Sequence, residues 1–212
     1  MTIAMIGATG LVGSALRPLL EERHELLVLG RRASGATREK LGRMEEWPAL
    51  LAGERLETAV SCLGTTWKKT GSWEKFEAVD RHAVLAFARA AHAAGARHFL
   101  AVSSSGADPS SSSRYLRLKA DVEAELTTIG FERLDVLLPG LLLGHREDDR
   151  RLLERLGILL DPLTRLFLRG PLDRYAGISA RTVARAMAAL VERHEPGLFR
   201  HGNREIRSLA EG

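Results

Sequence analysis

The stretch GATGLVG, residues 7–13, lies where a short apolar run, TIAMI (2–6), gives way to LVGSALRPLLEER (11–23), whose apolar residues recur at helical spacing. That order of strand, glycine loop and helix constrains the chain more than any other feature. Gly7 permits a tight turn, Gly10 lets the backbone approach a pyrophosphate, and Gly13 allows the helix to pack close on the strand. Ala8, Thr9, Leu11 and Val12 complete the loop, and the opening of the helix offers free N–H groups and a favourable dipole to phosphates. The spacing is G-x-x-G-x-x-G rather than G-x-G-x-x-G, and a glycine turn used only for packing is the alternative. The strand before it and the helix after it favour dinucleotide binding.

Strand-like and helix-like stretches alternate from there on. ELLVLG (25–30) reads as a second strand, and residues 31–57 leave room only for a short third one. TAVSCLG (58–64) is the next strand. A helix is expected from Trp73 to Ala94, with Phe76, Val79, Ala83, Phe87, Ala90 and Ala94 on one face and Gly95 at its end. HFLAVS (98–103), a helix over 114–128 and LDVLLP (134–139) complete the series. Such alternation implies parallel βαβ units and a sheet covered on both faces, a Rossmann-like, doubly wound α/β fold. Past Gly140 the pattern weakens. Residues 149–170 read as helical pieces broken at Gly157 and Pro162, and SARTVARAMAALVERHE (179–195) as a helix with Ser179 as N-cap. With no repeat and no linker, the 212 residues read as one domain, in which 140–212 form a small substrate-side extension.

Composition narrows the class of protein. One cysteine, Cys62, leaves no internal disulfide and fits a reducing compartment. The N-terminal run has no basic n-region, and no apolar run reaches the roughly 18 residues of a membrane span. A cytoplasmic protein with no membrane span is the expectation. The net charge of +4 is spread among acids, as in REKLGRMEE and REDDRRLLER, so no nucleic-acid partner is expected.

Three further features carry chemistry. The second strand ends in LGRR, placing Arg31 and Arg32 where a carboxylate would otherwise hold an adenine ribose; arginines there suit a 2′-phosphate and favour NADP(H) over NAD(H). Surface arginines in an arginine-rich chain are the alternative. Tyr115 and Lys119, in YLRLK, are four apart and share a helix face, where an ammonium favours the phenolate and makes a tyrosine a usable proton donor or acceptor. SSSGADPSSSS, residues 103–113, sets hydroxyls of Ser103, Ser104 or Ser105 at the end of a strand, within range of a substrate oxygen near Tyr115.

GATGLVG, SCLGTT, VSSSGAD, YLRLK and LLPGLLLG together, in this order, resemble the atypical and extended short-chain dehydrogenase/reductase superfamily over residues 1 to about 145. CLGTT and SSSGADPSSSSRYLRLKADVEAEL look like its Tat-interacting-protein-like oxidoreductase branch. The resemblance implies Tyr115 as catalytic acid/base, Lys119 holding the nicotinamide ribose and tuning Tyr115, and Ser104 polarising the substrate carbonyl, with Ser103 and Ser105 as neighbours able to replace it. It further implies Leu63, Gly64 and Thr65 on the adenine-ribose side, Pro139, Gly140 and Leu142 beside the nicotinamide, and Arg150 reaching a cofactor phosphate. Serines 110–113 are then structural, carrying the loop and capping the helix of Tyr115. Two departures stand out: Leu138 replaces the usual arginine before the Pro-Gly step, and the region between the second and fourth strands is compressed. The short C-terminal part argues against a nucleotide-sugar substrate and for a small carbonyl compound.

The seven histidines have no metal-ligand spacing, HREDD (145–149) reads as solvated surface, and Cys62 reads as a small hydrophobe inside a strand. Trp67 and Trp73 flank a loop near the expected cleft, as pocket walls or as structure. GILLDPLTRLFL is open between a substrate lid, a homodimer surface and core. The expectation is an NADP(H)-dependent oxidoreductase for a small carbonyl or alcohol substrate. Its rival is an NADP(H)-binding regulatory or redox-sensing protein with little turnover.

Overall fold

The structure, a computed structural model, describes residues 1–143 and 176–212. Arg150, the 145–149 cluster, the helical pieces of 149–170 with breaks at Gly157 and Pro162, and the 157–168 apolar run lie outside the described residues.

The chain begins with β1 (Thr2–Ile6), α1 (Leu11–Glu21), β2 (Glu25–Gly30) and a three-residue β3 (Glu39–Leu41). It continues with α2 (Trp47–Leu50), β4 (Thr58–Ser61), α3 (Trp67–Thr70), α4 (Trp73–Glu77), a π turn over Ala78–Ala83 and α5 (Val84–Ala93). Then come β5 (His98–Val102), α6 (Arg114–Thr127), β6 (Arg133–Leu138), β7 (Leu142–Leu143) and β8 (Ile178–Ser179), and finally α7 (Ala180–Val191), β9 (Gly197–Gly202) and α8 (Asn203–Glu211). One seven-stranded sheet has the order β3-β2-β1-β4-β5-β6-β9, every pair parallel. This is the doubly wound arrangement, with the order reversing between β1 and β4. Such sheets bury both faces, and here the central strands are largely apolar because each face carries its own core. Phe87, Phe99, Trp47 and Leu126 build one; Leu16, Leu20, Val183 and Met187 build the other.

The helix expected over 73–94 is present but not regular. The π turn inserts an extra residue and turns the buried stripe, so that Val84, Leu85, Ala88 and Ala91 join Phe87 in the core while Ala90 and Ala94 are only partly covered. Ser179 caps α7 as expected, its hydroxyl accepting the Thr182 N–H at 3.0 Å. The seventh strand and the last helix were not expected. β9 is held by a buried cluster: Asp135 of β6 meets His98 Nε2 of β5 at 2.6 Å, His201 Nε2 of β9 at 2.6 Å, and Arg133 through Nε at 2.6 Å and Nη2 at 2.9 Å. The same arginine lies 4.1 Å over the Phe199 ring, closing the sheet edge.

Candidate active site

Where the strand order reverses, the carboxyl ends of β1 and β4 leave a crevice, the usual place for a ligand in an open α/β sheet. Gly7 enters it at φ +81°, and a Cβ there would lie 2.4 Å from the Cys62 carbonyl carbon. A Cβ on Gly13 would lie 2.1 Å from the Gly7 carbonyl oxygen, so the loop and α1 touch backbone to backbone. Gly10 differs: its φ is −77°, and a Cβ meets Gly7 O at 3.1 Å. α1 opens at Gly10 with no side-chain cap and no acid in its first turn, so its leading N–H groups face the crevice uncapped. Ala8 and Val12 are buried beneath the loop, while Thr9 is exposed. These residues fit a dinucleotide pyrophosphate.

Arg31 and Arg32 follow β2 directly and are exposed, with no ion pair among the described residues. The loop behind them is ordered by acids: Glu39 accepts from Ser34 N, Ser34 Oγ and Ala36 N, and Arg17 reaches Gly35 O at 2.7 Å. The Ser34 hydroxyl is the main reason the Glu39 carboxyl lies below its ordinary range.

Tyr115 and Lys119 lie one turn apart on α6, with the Lys119 Nζ 5.8 Å from the Tyr115 ring centroid. Ser113 caps this helix, its hydroxyl accepting from Leu116 N. Phe76 meets Tyr115 edge-on at 5.9 Å and stacks on Trp73 at 5.3 Å; Arg114 covers the Trp73 ring at 4.1 Å. Trp73 thus packs through Phe76 behind Tyr115, whereas Trp67 stands 58% exposed. At the end of β5, the Ser103 hydroxyl donates to Glu123, Ser104 is half-buried with Oγ 3.4 Å from Ser105 O, and Ser105 is buried. Ser103 is thus already engaged, and Ser104 and Ser105 are the two less committed hydroxyls.

Two carboxylates complete the site, and neither was singled out in the sequence. Asp80, on the π turn, pairs with Lys119 Nζ at 2.8 Å and accepts the Thr65 N–H at 2.8 Å. Glu123, four residues after Lys119, also pairs with Arg200 of β9 at 2.7 Å. Burial alone would lower the Lys119 pKa; Asp80, Tyr115 and Glu123 outweigh it and hold the ammonium above its ordinary value. Asp80 had one sequence signal, a lone acid four residues after Phe76 and three before Ala83 on the inward stripe. Leu63, Gly64 and Thr65 follow β4 beside this acid, and a Cβ on Gly64 would meet Asp80 Oδ1 at 3.8 Å. On the far side, Gly140 N–H donates to Asn203 Oδ1 at 2.8 Å, next to buried Pro139 and half-buried Leu142. Cys62 faces Met187 with 3.8 Å between sulfurs, and burial pushes its thiol up to about 12.

A doubly wound parallel sheet with a glycine loop at its switch point is a Rossmann-like fold of the kind that binds nicotinamide dinucleotides. No family model matches the chain. Over 168 residues it is 33% identical to the mitochondrial protein FMP52-1 of Scheffersomyces stipitis, covering 74% of this chain and 74% of that protein. Over 108 residues it is 42% identical to the rat protein HTATIP2, 51% of this chain and 43% of that protein. The chain belongs to the family of the FMP52 proteins. Among solved structures, a short-chain dehydrogenase/reductase superfamily protein from Agrobacterium tumefaciens with bound NAD superposes with a TM-score of 0.68 at 16% identity, covering 100% of this chain and 81% of that one. The FMP52 relatives are named as mitochondrial proteins, and this overturns the expectation of a cytoplasmic protein. Organelle address was read from one cysteine and a missing n-region, and neither separates the two compartments.

Proposed function

We propose that the protein is an NADP(H)-dependent oxidoreductase that interconverts a small carbonyl compound and its alcohol. The observation that carries this reading is the Tyr115–Lys119 pair, one turn apart on the helix that follows β5, with the Lys119 ammonium 5.8 Å from the Tyr115 ring. The bound dinucleotide supplies the hydride. Gly7, Ala8, Thr9, Gly10, Leu11, Val12 and Gly13 hold its pyrophosphate on the uncapped end of α1, Leu63 to Thr65 line its adenosine side, and Pro139, Gly140 and Leu142 flank the nicotinamide. Ser104 donates a hydrogen bond to the substrate oxygen and Tyr115 delivers the proton that converts the alkoxide to alcohol. Lys119 holds the nicotinamide ribose and keeps positive charge beside Tyr115.

Arg31 and Arg32 support the 2′-phosphate form of the cofactor, being exposed, at the end of β2 and without carboxylate partners among the described residues. The NAD bound to the Agrobacterium protein supports the dinucleotide, not the phosphate. Equilibrium titration with NADPH and NADH tests both. The unmodified protein should bind NADPH at least about tenfold more tightly, and Arg31→Ala with Arg32→Ala should erase that margin. A carbonyl screen following nicotinamide absorbance comes next, in which Tyr115→Phe should bind NADPH normally and turn nothing over. Binding without turnover on any carbonyl would replace the enzyme with a redox sensor, and no binding would remove the cofactor altogether.

A further inference from the structure

Lys119 and Asp80 are nearly sealed from solvent, with side-chain exposures of 7% and 1%. A buried ion pair is a poor device for stability, since an apolar pair of similar volume usually serves as well or better. Its presence beneath Tyr115 calls for a different reason. Asp80 also reaches the chain after β4, accepting the Thr65 N–H at 2.8 Å with its second oxygen. Asp80 lies buried on the π turn, within reach of both partners.

The groups facing the Lys119 ammonium are few. Asp80 comes from the π turn, Tyr115 and Glu123 from α6 itself, and Ser103, just after β5, and Ser61 of β4 line the same small pocket. Glu123 is committed elsewhere, to the Ser103 hydroxyl and to Arg200. Asp80 is therefore the direct counter-ion.

We propose that Asp80 is the positioning residue of this site: one carboxylate oxygen keeps Lys119 charged and aimed, and the other ties the cofactor-side loop at Thr65 to the same anchor. The proposal rests on the cofactor reading above. It predicts that the proton-donating helix and the adenosine side of the crevice move as one unit.

Asp80→Asn tests it, because the amide keeps the size and the acceptor for Thr65 but removes the charge. Competitive acetylation of Lys119 against pH, read by peptide mass spectrometry, should show its midpoint falling by about two units in the variant. An unmoved midpoint overturns the proposal. So does labelling that rises equally at every pH, which marks a loosened structure and nothing more. NADPH affinity is the second readout: flat between about pH 7 and pH 9 for the unmodified protein, and weakening roughly threefold to fourfold by pH 9 in Asp80→Asn. If NADPH binds neither protein, the cofactor reading fails while the acetylation result still decides the role of Asp80. Should Asp80→Asn not fold, Lys119→Gln tests the link from the other side. The Thr65 amide should then exchange its hydrogen about tenfold faster, and unchanged exchange overturns the anchor.

Discussion

Asn203 holds Gly140 from the far end of the chain: its side-chain oxygen accepts the Gly140 N–H at 2.8 Å, and its amide donates to the Ala176 carbonyl at 2.7 Å. A buried residue of the last helix thus fixes the Pro-Gly step beside the proposed nicotinamide position. Asn203→Ala leaves two half-buried backbone groups without these partners, at a cost of about 1–2 kcal/mol. The expected result is a lower melting temperature together with weaker NADPH binding, while Asn203→Asp, which keeps the acceptor, should retain more of both. Equal losses in the two variants would argue against the clamp.

The glycine loop separates packing from binding. Gly13→Ala drives a Cβ into backbone at 2.1 Å and should destabilise the fold by about 3 kcal/mol. Gly10→Ala asks only for a small adjustment against Gly7 O at 3.1 Å, so its melting temperature should stay close to that of the unmodified protein. Its NADPH affinity should nevertheless fall at least about tenfold, because the methyl projects where phosphate approaches. Full NADPH affinity in Gly10→Ala would return the loop to a packing role.

The Asp135 cluster makes stability depend on pH in two opposite ways. Burial pushes the Asp135 carboxyl up, but hydrogen bonds from His201, His98 and Arg133 outweigh it and hold it well below the usual range. Its contribution is present above the ordinary carboxylate pKa of about 4 and is lost as pH falls further. Burial likewise works against the His201 imidazolium, yet Asp135 and Glu205, the latter 2.8 Å from Nδ1 but off the N–H axis, hold its pKa above the ordinary value. That contribution is complete below about pH 6.5 and disappears as pH rises through the raised folded value. His98 is pushed the other way, chiefly by burial, and remains neutral to donate to Asp135. Melting curves of His201→Gln should therefore show the largest deficit below about pH 6.5 and a shrinking one in alkali; a deficit constant with pH would count against the charged imidazole. Asp135→Asn should cost about 3 kcal/mol or more near neutrality.

With its thiol at about 12 and facing Met187, Cys62 should resist iodoacetamide at pH 8 in the folded protein and react fully in denaturant. Rapid labelling of the native protein would mean that β4 opens at its carboxyl end.

The strands β1, β2, β4, β5 and β6 were legible because each is an apolar run between polar or glycine boundaries, as a doubly covered parallel sheet requires. β9 was not, since Arg200 and His201 break its apolar run and only Asp135, 66 residues away, makes a buried histidine acceptable there. The phase of the 73–94 helix was lost at the π turn, which no periodicity of 3.6 anticipates. In the site, the i,i+4 spacing of Tyr115 and Lys119 carried meaning only with the hydroxyl-rich strand end before it and the glycine loop upstream. Asp80 looked like an acid misplaced on an apolar face until the fold set Lys119 across from it.

One geometric detail bears on how such a chain diverges. β7 and β8 lie side by side, Leu142 opposite Ile178, so the residues on either side of 144–175 are hydrogen-bonded neighbours. Closing a longer or shorter excursion between two neighbouring ends changes the free energy only slowly with length. Relatives can therefore differ in the length of sequence between these two strands without rebuilding the seven-stranded sheet.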